Sequence, residues 1–292
     1  MDIERIGEAR YHLGEGPLWD PRESALYWVD SMAPAIWRLD AASGDIRGWD
    51  LPGATVGALA LRDRGGAVLA KDDGFHMFDF ETGACTVIAE VEADDPLTRF
   101  NDGKVDRAGR FVAGSLDPKF EKPLGALYRL DADLSWDKLD DGIVCSNGPC
   151  WSPDGKTLYF ADSSKRTIYA YDYDMASGGV ANKRVFATSD AGDPDGATVD
   201  AAGYLWSAMF NTAGGVGSVV RFAPDGGVER RIEMPVRFVT SVMFGGAELD
   251  ELYVTSAGGP VEGATDPSAE AGALFRIRGL GVTGLPEPRF AG

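Results

Sequence analysis

Four short segments of the sequence place an oxygen-bearing side chain beside glycine or proline. They are GEGP (14–17), FNDG (100–103), SNGP (146–149) and DPDG (193–196), and the residues concerned are Glu15, Asn101, Asn147 and Asp195. Carboxylate and amide oxygens, without cysteine or histidine, are typical ligands of hard cations such as Ca²⁺, Mg²⁺ or Mn²⁺. Three or four protein ligands would leave positions open for water and substrate, as a catalytic metal site requires. Taken singly, each segment is also ordinary turn chemistry, so the metal hypothesis depends on the fold.

The elements that could bring these residues together are six copies of one short strand. The copies are ALYWVD (25–30), AVLAKD (67–72), RFVAGS (110–115), TLYFAD (157–162), YLWSAM (204–209) and ELYVTS (251–256). They recur every 42 to 47 residues, each after a turn signal such as SPDG (152–155) and before a second apolar run such as TIYAYDYD (167–174). This period, without helical periodicity, predicts four short antiparallel strands per repeat, as in a β-propeller blade.

The fold prediction is therefore an all-β, six-bladed β-propeller that forms a single domain over residues 1–292, with a metal site in its central channel. The segment Ile3 to Gly7 is available as an outer strand for the last blade, which would close the ring. A large β-sandwich would also fit the alternation, but it has no reason to repeat the same strand six times. Trp28, Trp37 and Trp206 lie on the repeat strands and are predicted to pack between blades.

The four oxygen-bearing residues occupy one equivalent position in their repeats. Each stands ten or eleven residues before the second residue of its repeat strand. Val56 is near this position in the second repeat, and Thr240 or Ser241 in the sixth. Because the innermost strands of a propeller meet at the central channel, equivalent positions converge there. The shared offset favours a common site over four independent turns, which remain the alternative.

Composition excludes several classes of function. The chain has 292 residues, 44% of them apolar, and carries 28 Lys and Arg against 46 Asp and Glu, a net charge of −18. Such an acidic chain repels nucleic acids and anionic membrane surfaces, so a small-molecule partner is expected. No apolar run is long enough to span a membrane, and MDIERIGEAR (1–10) is too polar for a signal peptide, which favours a cytoplasmic protein. The oligomeric state stays open.

The cysteines support a reducing compartment. Cys85, Cys145 and Cys150 are few and odd in number, which argues against a disulfide framework. Cys145 and Cys150 flank Asn147, but nothing cationic besides a metal is expected beside them to stabilise a thiolate. Both are predicted to be small buried residues.

Several longer motifs together carry a family resemblance. They are LGEGPLWD (13–20), RFNDGKVDRAGRF (99–111), SNGPCWSPDGKTLYFADS (146–163), IYAYDYD (168–174) and PDGATVDAAGYLW (194–206). From about residue 4 to residue 280 the sequence closely resembles the senescence marker protein/gluconolactonase/regucalcin-like family. The resemblance implies a six-bladed propeller with one divalent metal ion in the channel. Most of the bacterial enzymes in this family hydrolyse sugar lactones.

The resemblance also implies a role for particular residues. Glu15, Asn147 and Asp195 match the metal ligands of the family, and the ion expected is one divalent cation, Ca²⁺ before Zn²⁺, Mg²⁺, Mn²⁺ or Fe²⁺. Asp195 is the candidate general base, since a carboxylate that faces a cation and a water can accept a proton. Acidification of water by the metal is the alternative source of the base.

Three further residues are implied as substrate contacts. Arg99 and Asn101 match the substrate-contacting pair of the family, and Arg99 can offer paired donors to sugar hydroxyls or a lactone oxygen. Glu121, in FEKPLGALY (120–128), falls where some members place another substrate-contacting carboxylate. A solvated loop acid is the alternative for Glu121.

The predicted function is metal-dependent hydrolysis of a sugar (aldono-) lactone to the aldonic acid, in a pathway of carbohydrate metabolism. One alternative is an organophosphate or other ester hydrolase on the same site, which would need a more apolar channel. Another is a calcium-binding propeller without enzymatic activity. The identity of the lactone depends on loops near residues 116–124 and 257–271, whose conformation the sequence does not determine.

Overall fold

The structure is a computed structural model that describes residues 1–72, 74–92, 97–261 and 263–292. The regular secondary structure of these residues consists of β-strands and a short 3-10 helix, Ser163–Lys165. The strands are β1 (Asp2–Ile6), β2 (Gly14–Asp20), β3 (Ala25–Asp30), β4 (Ala35–Asp40), β5 (Ile46–Asp50), β6 (Val56–Leu61), β7 (Ala67–Lys71), β8 (Gly74–Phe78), β9 (Cys85–Glu90), β10 (Arg99–Val105), β11 (Phe111–Leu116), β12 (Gly125–Leu130), β13 (Trp136–Ile143), β14 (Ser146–Trp151), β15 (Thr157–Asp162), β16 (Thr167–Asp174), β17 (Gly179–Thr188), β18 (Asp193–Val199), β19 (Leu205–Phe210), β20 (Ser218–Phe222), β21 (Val228–Glu233), β22 (Val239–Gly245), β23 (Glu251–Ser256) and β24 (Leu274–Arg278). No helix in the described part of the chain is long and apolar enough to cross a membrane.

The described strands form six four-stranded antiparallel sheets arranged in a ring. Blades 1 to 5 are β2–β5, β6–β9, β10–β13, β14–β17 and β18–β21, and blade 6 is β22–β24 with β1 as its outer strand. Each first strand contacts the first strand of the next blade, and β22 contacts β2, which closes the ring. The predicted six-bladed propeller is confirmed. The predicted closure is confirmed as well, since β1 pairs with β24 and Ile3 lies opposite Ile277.

The hydrophobic core lies between the blades. Six clusters of buried side chains each join two neighbouring blades, so every interface around the ring has its own core. Trp206 of blade 5 meets Phe244 of blade 6 edge to face at 5.6 Å. Trp28 is fully buried between blades 6 and 1, and Trp37 packs against the same cluster. The prediction that these tryptophans lie between blades is confirmed.

Two buried carboxylates, each in the turn after a first strand, accept hydrogen bonds from side chains of the blades. Asp106 and Asp200, here called the turn aspartates, follow the first strands of blades 3 and 5 and are fully buried. Asp106 accepts hydrogen bonds from Arg110 Nε and the Tyr173 hydroxyl, both at 2.6 Å. Asp200 accepts from Trp206 Nε1 at 2.9 Å and from Arg221 Nη2 at 2.7 Å. Each turn aspartate is therefore paired with a cation and fully hydrogen-bonded.

The C-terminal strap, residues 280–292, crosses one face of the ring. Its backbone or side chains bond to the turn after the first strand of several blades. The Thr283 carbonyl accepts from Ala201 N, the Pro286 carbonyl from Arg107 Nη1, Gly284 N donates to the Leu249 carbonyl, and Arg289 pairs with Asp20 at 2.6 Å. Phe290 is buried in the core between blades 2 and 3. The strap therefore lies at the ends of the first strands, opposite their beginnings.

Candidate functional site

Each of the four oxygen-bearing residues lies at a β-bulge near the beginning of the first strand of its blade. The register breaks between Glu15 and Leu18, Phe100 and Gly103, Asn147 and Cys150, and Pro194 and Ala197. A bulge inserts an extra residue and redirects the side chains of the strand. Gly16 and Gly148 follow Glu15 and Asn147 with φ of 52° and 56°, a left-handed conformation that favours glycine. The local sequence thus turns these side chains toward the channel.

A cavity opens at the beginning of the first strands. Five of the six residues predicted for the site line it: Glu15, Arg99, Asn101, Asn147 and Asp195. Residues that are up to 180 positions apart in the sequence therefore share one cavity. The individual roles expected for them remain predictions.

The sixth predicted residue, Glu121, is exposed and does not line the cavity, whereas its neighbour Phe120 does. Phe120 has a φ of 56°, which is uncommon and costly for an aromatic residue. The carboxylate of Asp117 fixes this loop, because it accepts the backbone N–H groups of Lys119 at 3.0 Å and Lys122 at 2.8 Å. The loop therefore presents an aromatic ring to the cavity. The substrate contact expected of Glu121 remains a prediction.

The cavity also has an apolar lining that the sequence analysis missed. It consists of Leu13, Leu116, Phe120, Phe210 and Val261. The Phe210 ring is held in place by stacking on Phe238, with ring centroids 4.4 Å apart. These side chains come from loops and strand ends of several blades, where no repeat pattern marks them.

A chain of hydrogen bonds fixes the polar side chains of the cavity. Arg99 Nη1 donates to Asn101 Oδ1 at 3.1 Å, and Asn101 Nδ2 donates to Asn147 Oδ1 at 2.9 Å. Asn147 Nδ2 then donates to Ser163 Oγ at 2.8 Å and lies 3.6 Å from Cys145 Sγ. Both amide hydrogens of Asn147 are thereby used. One lone pair of its Oδ1 is left for the cavity.

Two of the three carboxylates that line the cavity, Glu15 and Asp195, lack comparable partners. Glu15 is 5% exposed and accepts one hydrogen bond, from Gly16 N at 3.0 Å. Asp195 is 8% exposed, and its Oδ1 is buried without a hydrogen-bond partner. Burial and the neighbouring acids raise the pKa of both carboxyls well above their ordinary range. Glu15 and Asp195, here called the channel acids, repel each other when both are charged.

This donor set fits a divalent cation. Two carboxylates and one amide oxygen are hard ligands, and a cation among them would relieve the repulsion and give Asp195 Oδ1 a partner. Among the described residues no group of three or more His, Cys, Asp or Glu side chains is arranged to hold a metal. Any such site would therefore need a third ligand of another type, and the amide oxygen of Asn147 is the one that the sequence analysis predicts.

A third buried carboxylate, Asp102, escaped the sequence analysis although it stands beside Asn101 in the same bulge. It accepts backbone N–H groups from Gly103 at 2.7 Å and from Gly148 at 2.9 Å, so it joins the bulges of blades 3 and 4. Burial raises the pKa of its carboxyl. The signal was present in FNDG (100–103), but only one of its two polar residues was taken as functional.

The cysteine prediction is confirmed. Cys145 and Cys150 are both buried, and all three cysteines of the chain are free thiols. Burial raises the pKa of the Cys145 thiol and raises that of Cys150 to about 12. Cys145 also lines the cavity, beside Asn147. From the sequence we expected only that Cys145 lies near Asn147.

A second, smaller cavity lies deeper in the channel, toward the C-terminal strap. Its lining includes Asp102, Lys104 and Ser241 from the blades and Glu287 from the strap. Lys104 Nζ donates to the Ala197 carbonyl at 2.6 Å, and Glu287 lies 3.6 Å from Arg107. The charged groups at this end of the channel therefore have partners within the chain.

Comparison with known proteins places this geometry among relatives. The family model described as the SMP-30/gluconolactonase/LRE-like region matches residues 13–258. The chain is 38% identical to regucalcin of Xenopus laevis, over 100% of this chain and 99% of that protein. It is 38% identical to a pentonolactonase of Haloferax volcanii, over 99% and 98% of the two chains. The solved structure of a calcium-binding protein, regucalcin, from Agrobacterium tumefaciens superposes with a TM-score of 0.90 at 31% identity, over 99% and 97%.

Proposed function

The chain belongs to the SMP-30/gluconolactonase/LRE-like family, and on that premise we propose that it hydrolyses a sugar lactone to the aldonic acid with one divalent metal ion. The observation that carries the proposal is the pair of buried, mutually repelling channel acids beside an amide oxygen, with Asp195 Oδ1 lacking a partner. Two buried acids without adequate partners are unfavourable unless a cation binds between them, and a cation placed there can act on a molecule that enters the cavity. The pentonolactonase among its relatives supports a lactone as that molecule.

Glu15, Asn147 and Asp195 are the residues that would hold the ion. A divalent cation there supplies positive charge for the oxygen that becomes negative in the transition state, and it lowers the pKa of nearby water. Ca²⁺ is the first candidate, because oxygen ligands suit it and because one structural relative is described as a calcium-binding protein. Mg²⁺, Mn²⁺, Zn²⁺ and Fe²⁺ remain alternatives.

The protein residues then have distinct tasks. The oxygen of a water molecule bonds to the lactone carbonyl carbon, the ring C–O bond breaks, and the ring oxygen leaves as a hydroxyl. Asp195 takes the proton from the water and can return it to the ring oxygen, because a carboxylate has a second oxygen besides the one that would bind the ion. Arg99 and Asn101 bind hydroxyls or the lactone oxygens from the neighbouring blade. The apolar lining excludes bulk water from the reacting groups.

Proton release from a panel of five- and six-membered aldonolactones tests this proposal. The protein is treated with a chelator and then given Ca²⁺, Mg²⁺, Mn²⁺, Zn²⁺ or Fe²⁺ in turn. We expect turnover only with metal, and a loss of about 10²- to 10⁴-fold in kcat for Asp195→Asn. Asp193→Asn is the matched control, because Asp193 lies in the same tetrapeptide and cavity but is already paired with Arg166 at 2.7 Å. Equal losses in both variants, or turnover without metal, would contradict the proposal.

A second candidate, hydrolysis of an aryl or alkyl ester or an organophosphate, is favoured by the apolar lining. Such a substrate needs a less polar channel than a sugar does, and five apolar side chains face this cavity. The same assay with phenyl acetate and a phosphotriester distinguishes the two. Metal binding without turnover of any of these substrates would instead favour a calcium-binding propeller without enzymatic activity.

We also propose that residues 1–292 fold as a single domain and that the protein works in the cytoplasm. The continuous ring of blade interfaces supports the first proposal, since no interface lacks a buried cluster. The three free thiols support the second, because thiols persist in a reducing compartment.

A further inference from the structure

The backbone carbonyl that precedes each of the three candidate metal ligands receives a side-chain hydrogen bond. The bonds are Thr240 Oγ1 to the Gly14 carbonyl at 2.5 Å, Asn101 Nδ2 to the Ser146 carbonyl at 2.8 Å, and Ser163 Oγ to the Pro194 carbonyl at 2.6 Å. In every case the donor belongs to the preceding blade of the ring and the carbonyl to the next. A hydrogen bond from the preceding blade thus holds the backbone of each bulge at the residue just before the candidate ligand.

The cause lies in the position of the first strands. A first strand has only one partner in its sheet, so the carbonyls on its other side face the channel and the neighbouring blade. In a buried region these carbonyls need donors. For the carbonyls of Gly14, Ser146 and Pro194, a side chain of the preceding blade supplies the donor.

Ser163 forms hydrogen bonds that hold two of the candidate ligands, Asn147 and Asp195, in position. Its hydroxyl donates to the Pro194 carbonyl, next to Asp195, and accepts the Asn147 Nδ2–H at 2.8 Å. Because the nitrogen side of the Asn147 amide is thereby occupied, the amide cannot rotate by half a turn without losing that bond. The oxygen is consequently kept toward the cavity, where a hard cation needs it.

We propose that Ser163 and Thr240 are positioning residues for the divalent cation, which rests on the metal-dependent function proposed above. Neither hydroxyl is one of the expected ligands. Ser163 sets the amide of Asn147 and the backbone before Asp195, and Thr240 sets the backbone before Glu15. Partners of this kind, one step removed from the metal, typically change metal affinity by about 10- to 100-fold when removed.

Calorimetric titration of Ca²⁺ and Mn²⁺ into chelator-treated protein tests the proposal without relying on turnover. We expect the metal Kd to rise about 10- to 100-fold in Ser163→Ala and about 10-fold in Thr240→Val. Ser163→Thr and Thr240→Ser keep the hydroxyl and should stay within about threefold of the parent protein. The matched control is Ser207→Ala, because Ser207 is also buried but donates within its own strand, to the Ala208 carbonyl at 3.2 Å.

The outcomes separate the positioning role from the function beneath it. If the parent protein binds neither metal, the metal-dependent function fails, and the positioning role fails with it. If the parent binds metal and Ser163→Ala and Thr240→Val bind it equally well, only the positioning role is overturned. A rise in Kd that the hydroxyl-retaining variants do not rescue, or that Ser207→Ala reproduces, also overturns it. Thermal unfolding without metal identifies a variant that fails to fold, and the Thr240 pair then tests the claim alone.

Discussion

The turn aspartates and the channel acids are buried to a similar degree but are treated in opposite ways by the fold. Asp106 and Asp200 are surrounded by arginine and aromatic donors from neighbouring strands. Glu15 accepts one bond from the adjacent backbone, and Asp195 retains an oxygen with no partner. Burying a carboxylate is unfavourable in both places, but only the turn aspartates have that cost offset within the chain. Under the function proposed above, a divalent cation would offset that cost for the channel acids.

The largest expected effect is on the turn aspartates. Asp200→Ala removes the partner of the buried Arg221 at 2.7 Å and the acceptor of Trp206 Nε1, and it leaves Arg221 paired with the partly exposed Glu229 at 3.1 Å. We expect a loss of about 3 kcal/mol in the free energy of unfolding. Urea denaturation measures this, and a single cooperative transition is expected if the six blades form one domain. A loss below about 1 kcal/mol would remove the distinction between the two sets of acids.

A smaller effect of opposite sign is expected for the channel acids. In chelator-treated protein at pH 8, Glu15→Gln removes one of two repelling charges and should raise the free energy of unfolding by about 1–2 kcal/mol. The same substitution should weaken metal binding, since it removes a charged ligand. Urea denaturation with and without Ca²⁺ checks both statements. Destabilisation without metal would mean that Glu15 is satisfied by the chain, as the turn aspartates are.

The most gradual effect is the dependence of stability on pH. The folded protein raises the pKa of Glu15 above its ordinary 4.5 and that of Asp195 above its ordinary 3.8. The folded state therefore holds protons that the unfolded chain has already released. Their contribution to stability is complete below the ordinary values and is lost as the pH rises through the raised ones. Chelator-treated protein should accordingly lose stability as the pH rises above about 4.5.

Two variants isolate this contribution. Glu15→Gln and Asp195→Asn together should flatten the stability profile relative to the parent protein, because the groups that titrate are gone. Saturating Ca²⁺ should remove the loss in the parent, since the cation replaces the protons. An identical slope in parent and double variant would show that other groups cause it.

Sequence reasoning could separate the two sets of acids because of their place in the repeat. DRAG (106–109) and DPDG (193–196) both read as turns, but only the second shares its offset with Glu15, Asn101 and Asn147. Strand periodicity fixes which residues start the first strands, so four cavity residues and the closing strand could be predicted from it. The fifth cavity residue, Arg99, was implied only by the family resemblance. The same periodicity explains the tryptophans of the blade interfaces.

The features that could not be predicted lie in loops and connections, where no strand pairing determines which way a side chain points. In the loop after β11, Phe120 faces the cavity and Glu121 faces solvent, an outcome decided by a left-handed residue and the bonds to Asp117. Ser163 lies in a short connection between two strands of blade 4. Its hydroxyl reaches the Pro194 carbonyl only because blade 5 packs close to that connection. The C-terminal strap has no counterpart in the other repeats, so the repeat pattern carried no information about its path.

The C-terminal strap gives the two ends of the channel different surroundings. At the end opposite the candidate site, Glu287 and Pro288 of the strap line the deeper cavity. Hydrolysis of a neutral lactone releases an anion into the field of a chain with a net charge of −18. For a lactonase, this field would drive the product outward while leaving the uncharged reactant free to enter.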